Sequence, residues 1–328
     1  MNLWKVFCVI ALLLFTAHGG QPPSVNLVAL MPAEGRFQTV LEEIRNQAGP
    51  GYTIDVIDIN KNPTVKTIVD RCKSDNAAGL ILMDIKAVNA ALELQKYDST
   101  FKATPKFVFM TLLAELTASG LSNAAGITFE VPLYSLVTTF RIISRKEIFR
   151  VGIFYSKSFT RSIEESKRLL EKEKISIISH CVDCGQDQKT SIENSLAFMN
   201  GSWGRMVAQE KVDVFIIPAD NIIVNSQSLV EFWLGKIKKK RIPVIATIDL
   251  LASPKFGAAV FTADPDLTQL GNQAANLIAE HFENKTSMGK IGFEPTISIK
   301  STINAHVAED IGWKFKDEQL GRITTIIK

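Results

Sequence analysis

A chain of 328 residues that is 46% hydrophobic and 22% charged carries enough apolar material to fold, which excludes a disordered protein. The formal charge of +3 gives no case for nucleic acid as a partner. The length fits about two domains.

Residues 1–20 read as a signal peptide rather than as part of the fold. Lys5 supplies a positive start, residues 6–17 (VFCVIALLLFTA) are continuously apolar, and Ala17-His18-Gly19 places small residues at a cleavage site. Cleavage near Gly19/Gly20 would release a soluble, exported, periplasmic chain. Its apolar run is too short for a stable membrane anchor.

Strand-like runs then alternate with helix-like ones. Strands are expected at 25–30, 52–58, 79–83, 107–110 and 126–129. Between them come helices at 35–47, with Phe37, Val40, Leu41 and Ile44 on one face, from Pro63 onward, and at 87–97. The pattern restarts with a helix at 132–143, a strand at 151–155, a charged helix at 159–173 and a strand at 175–182. A helix at 192–209 comes after it, with a break expected at Asn200-Gly201. Next come strands at 212–217, 243–246 and 258–261, with a helix to about 239 after the first of them. The basic residues 236–241 at its end face the negative pole of the helix dipole. The tail reads as a helix at 267–282, a Gly- and Pro-containing stretch at 288–295, a strand at 296–299 and a helix at 301–311. Short apolar strands separated by helices give an α/β fold of two doubly wound parallel-sheet lobes. The tail extends neither run, so the chain is expected to cross between lobes more than once. The first lobe would then hold residues 21–130 plus 264–290, and the second 131–263 plus 291–328.

The most informative stretch is 212–221, VDVFIIPADN, where an apolar strand stops at a proline and sets down Asp220 and Asn221. In such folds ligands are held at the carboxyl ends of strands. Asp220 either meets a ligand ammonium, with Asn221 as a hydrogen-bonding neighbour, or caps the helix expected after it. Ser156 and Ser158 either hold an anion or cap a helix. Thr247 and Asp249 stand at the next strand end. Tyr155, Phe129 and Tyr134 offer aromatic walls or core packing. From the first lobe, Glu34 and Arg36 come after strand one, and Asp84 and Lys86 after strand three, as ligand contacts or as a solvated loop.

Three cysteines lie beyond the signal segment. Cys181 and Cys184 are near enough in sequence to close a small disulfide in an oxidising compartment, whereas metal or redox chemistry lacks the other residues it would need. Cys72 reads as a buried small hydrophobe. No phosphate loop, nucleophile elbow, metalloprotease helix or dinucleotide fingerprint occurs, so neither enzyme nor cofactor nor metal site is expected.

From residue 212 to 282 the chain resembles the carboxyl-terminal half of ABC transporter substrate-binding proteins of the tryptophan/tyrosine type. That family's P-T-D-N, I-P-V, G-A-L-A and L-G-x-x-A-A segments read here as Pro218-Ala219-Asp220-Asn221, Ile242-Pro243-Val244, Gly257-Ala258-Ala259 and Leu270-Gly271-Asn272-Gln273-Ala274-Ala275. Residues 151–162 and 123–128 resemble two more of its segments. Two departures fall in the first lobe: Met83-Asp84-Ile85-Lys86 replaces a G-T-P turn, and the D-P after strand four is missing. The resemblance implies a type I periplasmic-binding fold with three inter-lobe crossovers. It also implies a small polar ligand, an amino acid being the leading class, an ABC permease as partner, and a monomer. Two alternatives share this reading: a sensing module that reports to a membrane kinase or chemoreceptor, and a small-molecule enzyme on the same fold.

Overall fold

The computed structural model describes residues 24–182, 188–236 and 241–328. Residues 1–20, Cys184 and most of the basic run at 236–241 therefore fall outside it in whole or part. Among the described residues, no helix is long and apolar enough to cross a membrane.

Two sheets organise the chain. Strands β1 (Val25–Met31), β2 (Tyr52–Asp58), β3 (Gly79–Met83), β4 (Lys106–Thr111), β5 (Ala124–Thr128) and β11 (Phe293–Pro295) form the first, in the order β11-β5-β4-β3-β1-β2. The second orders β13-β12-β10-β9-β8-β6-β7. Its strands are β6 (Arg150–Ser156), β7 (Ser176–Val182), β8 (Val214–Ile217), β9 (Val244–Ala246), β10 (Phe261–Pro265), β12 (Ile299–Asn304) and β13 (Thr325–Ile327). All pairings are parallel except β10 with β12. Central strands buried on both faces explain the unbroken apolar runs, such as GLILM in β3. Helices cover both faces of each sheet, so each lobe has two apolar cores. This is the α/β, doubly wound, two-lobe architecture expected from the pattern of elements.

The chain passes between the sheets at residues 129–131, 265–267 and 296–298. The helix Leu267–Phe282 returns to the first lobe, where Leu270, Ala274, Leu277 and Ile278 join its core. There it packs on the helix Gly35–Ala48, whose buried face is the expected Phe37, Val40, Leu41 and Ile44. Gly271 makes that approach possible: a Cβ on it would lie 2.4 Å from the Glu43 Cβ and 2.9 Å from the Val40 carbonyl oxygen.

Four expectations are corrected. The lobe division at 290/291 moves later, because Met288 packs in the first core and Phe293–Pro295 pairs with β5. The strand expected at 296–299 is instead β12, which runs on to Asn304, so the last helix is only Ala305–Ile311. Val260 leads into β10, which starts at Phe261 and continues to Pro265. The helix Gln188–Ala208 has no break at Gly201, since buried Leu196, Met199, Trp203 and Met206 form one stripe across that site. Burying such a stripe outweighs the roughly 1 kcal/mol helix cost of a glycine.

Candidate functional site

The carboxyl edges of the two sheets face each other. Arg161, just after β6, sets Nη1 2.9 Å from Oε2 of Glu115, just after β4. This ion pair joins the two lobes. Both side chains are largely exposed, so it contributes little stability. Its importance is geometric, because it brings the carboxyl ends of β4 and β6 together from opposite lobes.

On the first lobe, three loops are tied together. Asn60 donates from Nδ2 to Oε1 of Glu34 at 3.3 Å, and Lys86 donates from Nζ to Asn60 Oδ1 at 3.0 Å. Asp84 holds φ at 89° and its side chain accepts from the Lys86 backbone N–H at 2.8 Å, capping the helix Ile85–Tyr97. Glu34 caps the helix Gly35–Ala48 only by position, with no side-chain hydrogen bond to it.

On the second lobe, Asp220 is 3% exposed. One carboxylate oxygen accepts from the Ser156 N–H at 2.7 Å and the other from the Ile222 N–H at 3.0 Å. Asp220 thus clamps the carboxyl ends of β6 and β8 together. The helix expected straight after it begins only at Ser226, where Asn225 supplies the cap. From Leu229 to Trp233 this segment is a π-turn. Asn221 is exposed, and its carbonyl accepts from Asn225 Nδ2 at 3.3 Å. Ser156 is buried, Ser158 exposed, and their hydroxyls lie 3.5 Å apart. Thr247 is buried at the end of β9, and its N–H donates to the Ile217 carbonyl at 3.2 Å. The Tyr155 ring packs into the core of the second lobe, where burial raises its hydroxyl pKa, and Tyr134 lies against the same core. Those two rings serve packing.

The crossovers bring together a third group, only part of which sequence reasoning singled out. The Arg36 guanidinium sits 5.1 Å over the ring of Phe129, in the first crossover. Asp264, at the end of β10, has its pKa raised to about 6 by burial; Arg36 lowers it and Asp249 raises it. Asp249 in turn accepts from the Thr262 hydroxyl at 2.9 Å. So Arg36, Phe129, Asp249 and Asp264 gather where the lobes join, although they lie on four separate segments. Asp264 was hidden in FTADPD, where its acid is indistinguishable by pattern from a helix cap. The neighbouring Asp266 is that cap.

Glu130, also in the first crossover, was missed altogether. Burial raises its pKa to about 7, and its carboxylate accepts from the backbone N–H of Leu113 in the loop after β4. A carboxyl that is harder to ionise in the folded state stabilises the protein below its unfolded pKa, and that contribution is lost as pH rises through about 7. Stability should therefore fall by a few kcal/mol between about pH 4.5 and 7. Glu130→Gln should flatten that part of a urea-midpoint profile, and an unchanged slope would show that Glu130 does not cause it.

Among the described residues, no group of three or more His, Cys, Asp or Glu is placed to hold a metal ion.

No family model matches this chain, and no curated protein matches it. Solved structures do. A ligand-free, open substrate-binding protein with adhesive properties from Clostridium difficile has a TM-score of 0.65 at 14% identity, covering 93% of this chain and 99% of that one. The ABC domain in complex with L-Trp from Streptococcus pneumonia scores 0.58 at 16% identity, over 92% of this chain and 100% of that one. The fold is that of the type I periplasmic-binding proteins. Within that fold the chemistry varies: a transcription regulator from Lactococcus lactis scores 0.52 at 10% identity, covering 85% of this chain and 97% of that one.

Proposed function

We propose that this chain is an exported solute-binding protein that captures a small polar ligand, an amino acid being the leading class, between its two lobes. It then passes that ligand to an ABC permease in the membrane. The reading is supported by polar side chains that stand just after strands of both lobes: Glu34, Asp84 and Lys86 in the first, and Ser158, Asn221, Thr247 and Asp249 in the second. A clamp of this kind gains affinity from contacts that exist only when both lobes touch the guest. The chain acts as a monomer, uses no cofactor or nucleic acid, and returns its ligand unchanged.

A thermal-shift screen over amino acids, sugars and nucleosides tests this. A ligand at about 100 times its Kd adds about 2.7 kcal/mol to stability, which is a rise of roughly 4 °C in Tm for a chain of this length. Recovery of the compound unaltered is expected. A flat response across the panel, or conversion of the compound, would remove the proposal.

A further inference from the structure

The segment that leaves β4 belongs to the first lobe by sequence and reaches the second by contact. Residues 111–115, TLLAE, stand where the D-P after strand four is missing. Two backbone features aim this segment. The pairing of β4 with β5 shifts register between Val108 and Thr111, with Met110 at φ 50°. A shift of this kind bends the strand and redirects what leaves it. Leu113 then takes φ 50° and ψ 45°, a left-handed conformation that leucine avoids and that its surroundings must hold.

The surroundings do hold it. The Leu113 N–H donates to the Glu130 carboxylate in the first crossover, which ties the turn to a strand that links the lobes. Thr117 closes on the turn from the other side, its N–H donating to the Leu113 carbonyl at 2.8 Å and its hydroxyl to the Leu112 carbonyl at 3.0 Å. Ala114 and Ala118 seat the short helix Ala114–Thr117 in a core of the first lobe. The Leu113 side chain goes the other way and packs, half-buried, against a core of the second lobe. Two residues on, Glu115 meets Arg161 of the second lobe. One short turn thus carries an apolar and an ionic contact across the same boundary.

We infer that residues 111–117 form a clasp that holds the two lobes closed, and that Leu113 and Arg161 set the balance between closed and open forms. The turn is fixed to the first lobe and to the first crossover, so a hinge rotation carries it away from the second lobe as one piece. Its contacts to that lobe exist only when the lobes are together, and only contacts peculiar to one form bias the equilibrium between two. The inference concerns lobe motion, which is measured without any ligand, so it stands or falls apart from the solute-binding reading.

The test is small-angle X-ray scattering of the ligand-free mature chain, with each profile fitted as a mixture of open and closed forms. Leu113→Asn removes the apolar contact but keeps the turn, because asparagine tolerates the left-handed region. It should raise the open-to-closed ratio about 10-fold. Arg161→Glu should raise it about 2- to 5-fold, and adding Glu115→Arg to Arg161→Glu should restore the wild-type ratio. The variant with both Leu113→Asn and Arg161→Glu should be mostly open, with a larger radius of gyration and unchanged far-UV circular dichroism. The Arg161 side chain is 81% exposed, so its replacement leaves the fold intact even if Leu113→Asn does not. Wild-type scattering from the variant carrying both changes would overturn the clasp. Opening by Arg161→Glu that the charge swap fails to reverse would overturn the part given to the ion pair.

Discussion

Lys106→Met is expected to destabilise the first lobe by about 3 kcal/mol or more, lowering Tm by roughly 6–12 °C. Lys106 is 0% exposed, and its ammonium donates to three carbonyls: Phe101, Thr104 at 2.7 Å and Ser122 at 3.0 Å. Burial pulls its pKa down to about 8, so at neutral pH the side chain still carries its proton. Its position at the start of β4 lets it gather the loops that precede β4 and β5. Methionine keeps the length of the stem and removes all three donors, which isolates the polar contribution from packing. That end of the sheet lies opposite the cleft, so ligand affinity should not change. Chemical denaturation with and without a bound compound measures both quantities. A loss below about 1 kcal/mol would mean that water replaces the ammonium, contrary to full burial.

The second large effect is expected at Asp220. Asp220→Ala should cost about 2–4 kcal/mol, because it leaves two N–H groups without acceptors where the residue is almost fully buried. Asp220→Asn should cost less, retaining one acceptor. Since Asp220 joins β6 to β8 across 64 positions of sequence, its loss should also loosen the loop that carries Ser158. A variant as stable as wild type, yet unable to bind, would instead assign Asp220 to direct ligand contact. Urea midpoints measured beside the binding titration separate the two outcomes.

How legible the site was depended on where each residue's partner lies. Asp220 could be singled out because it ends an apolar strand, and strand ends are where this architecture holds ligands. Its partner, the N–H of Ser156, belongs to another strand, so sequence left ligand contact and capping open together. Asp84 was likewise placed at a strand end, and the structure shows it capping through the Lys86 N–H. Tyr155 alternates with Phe154 along β6, and alternation says that their rings face opposite sides without saying which side is core. Both turn out to be core, since both faces of that sheet are covered. Glu130 gave no signal at all, because its burial comes from the junction of the lobes.

The periodicity of apolar residues, read alone, determined the number and kind of most elements in each lobe, the buried face of the helix Gly35–Ala48, and the α/β class. These are local consequences of side-chain spacing, and a helix or strand buries the same stripe wherever it packs. Tertiary structure alone decided that the three residues of β11 belong with β5, that Arg36 lies over Phe129, and that Glu115 meets Arg161 from the other lobe. A three-residue strand has no period to detect, and a charge on a loop has no partner until the crossovers bring distant loops together.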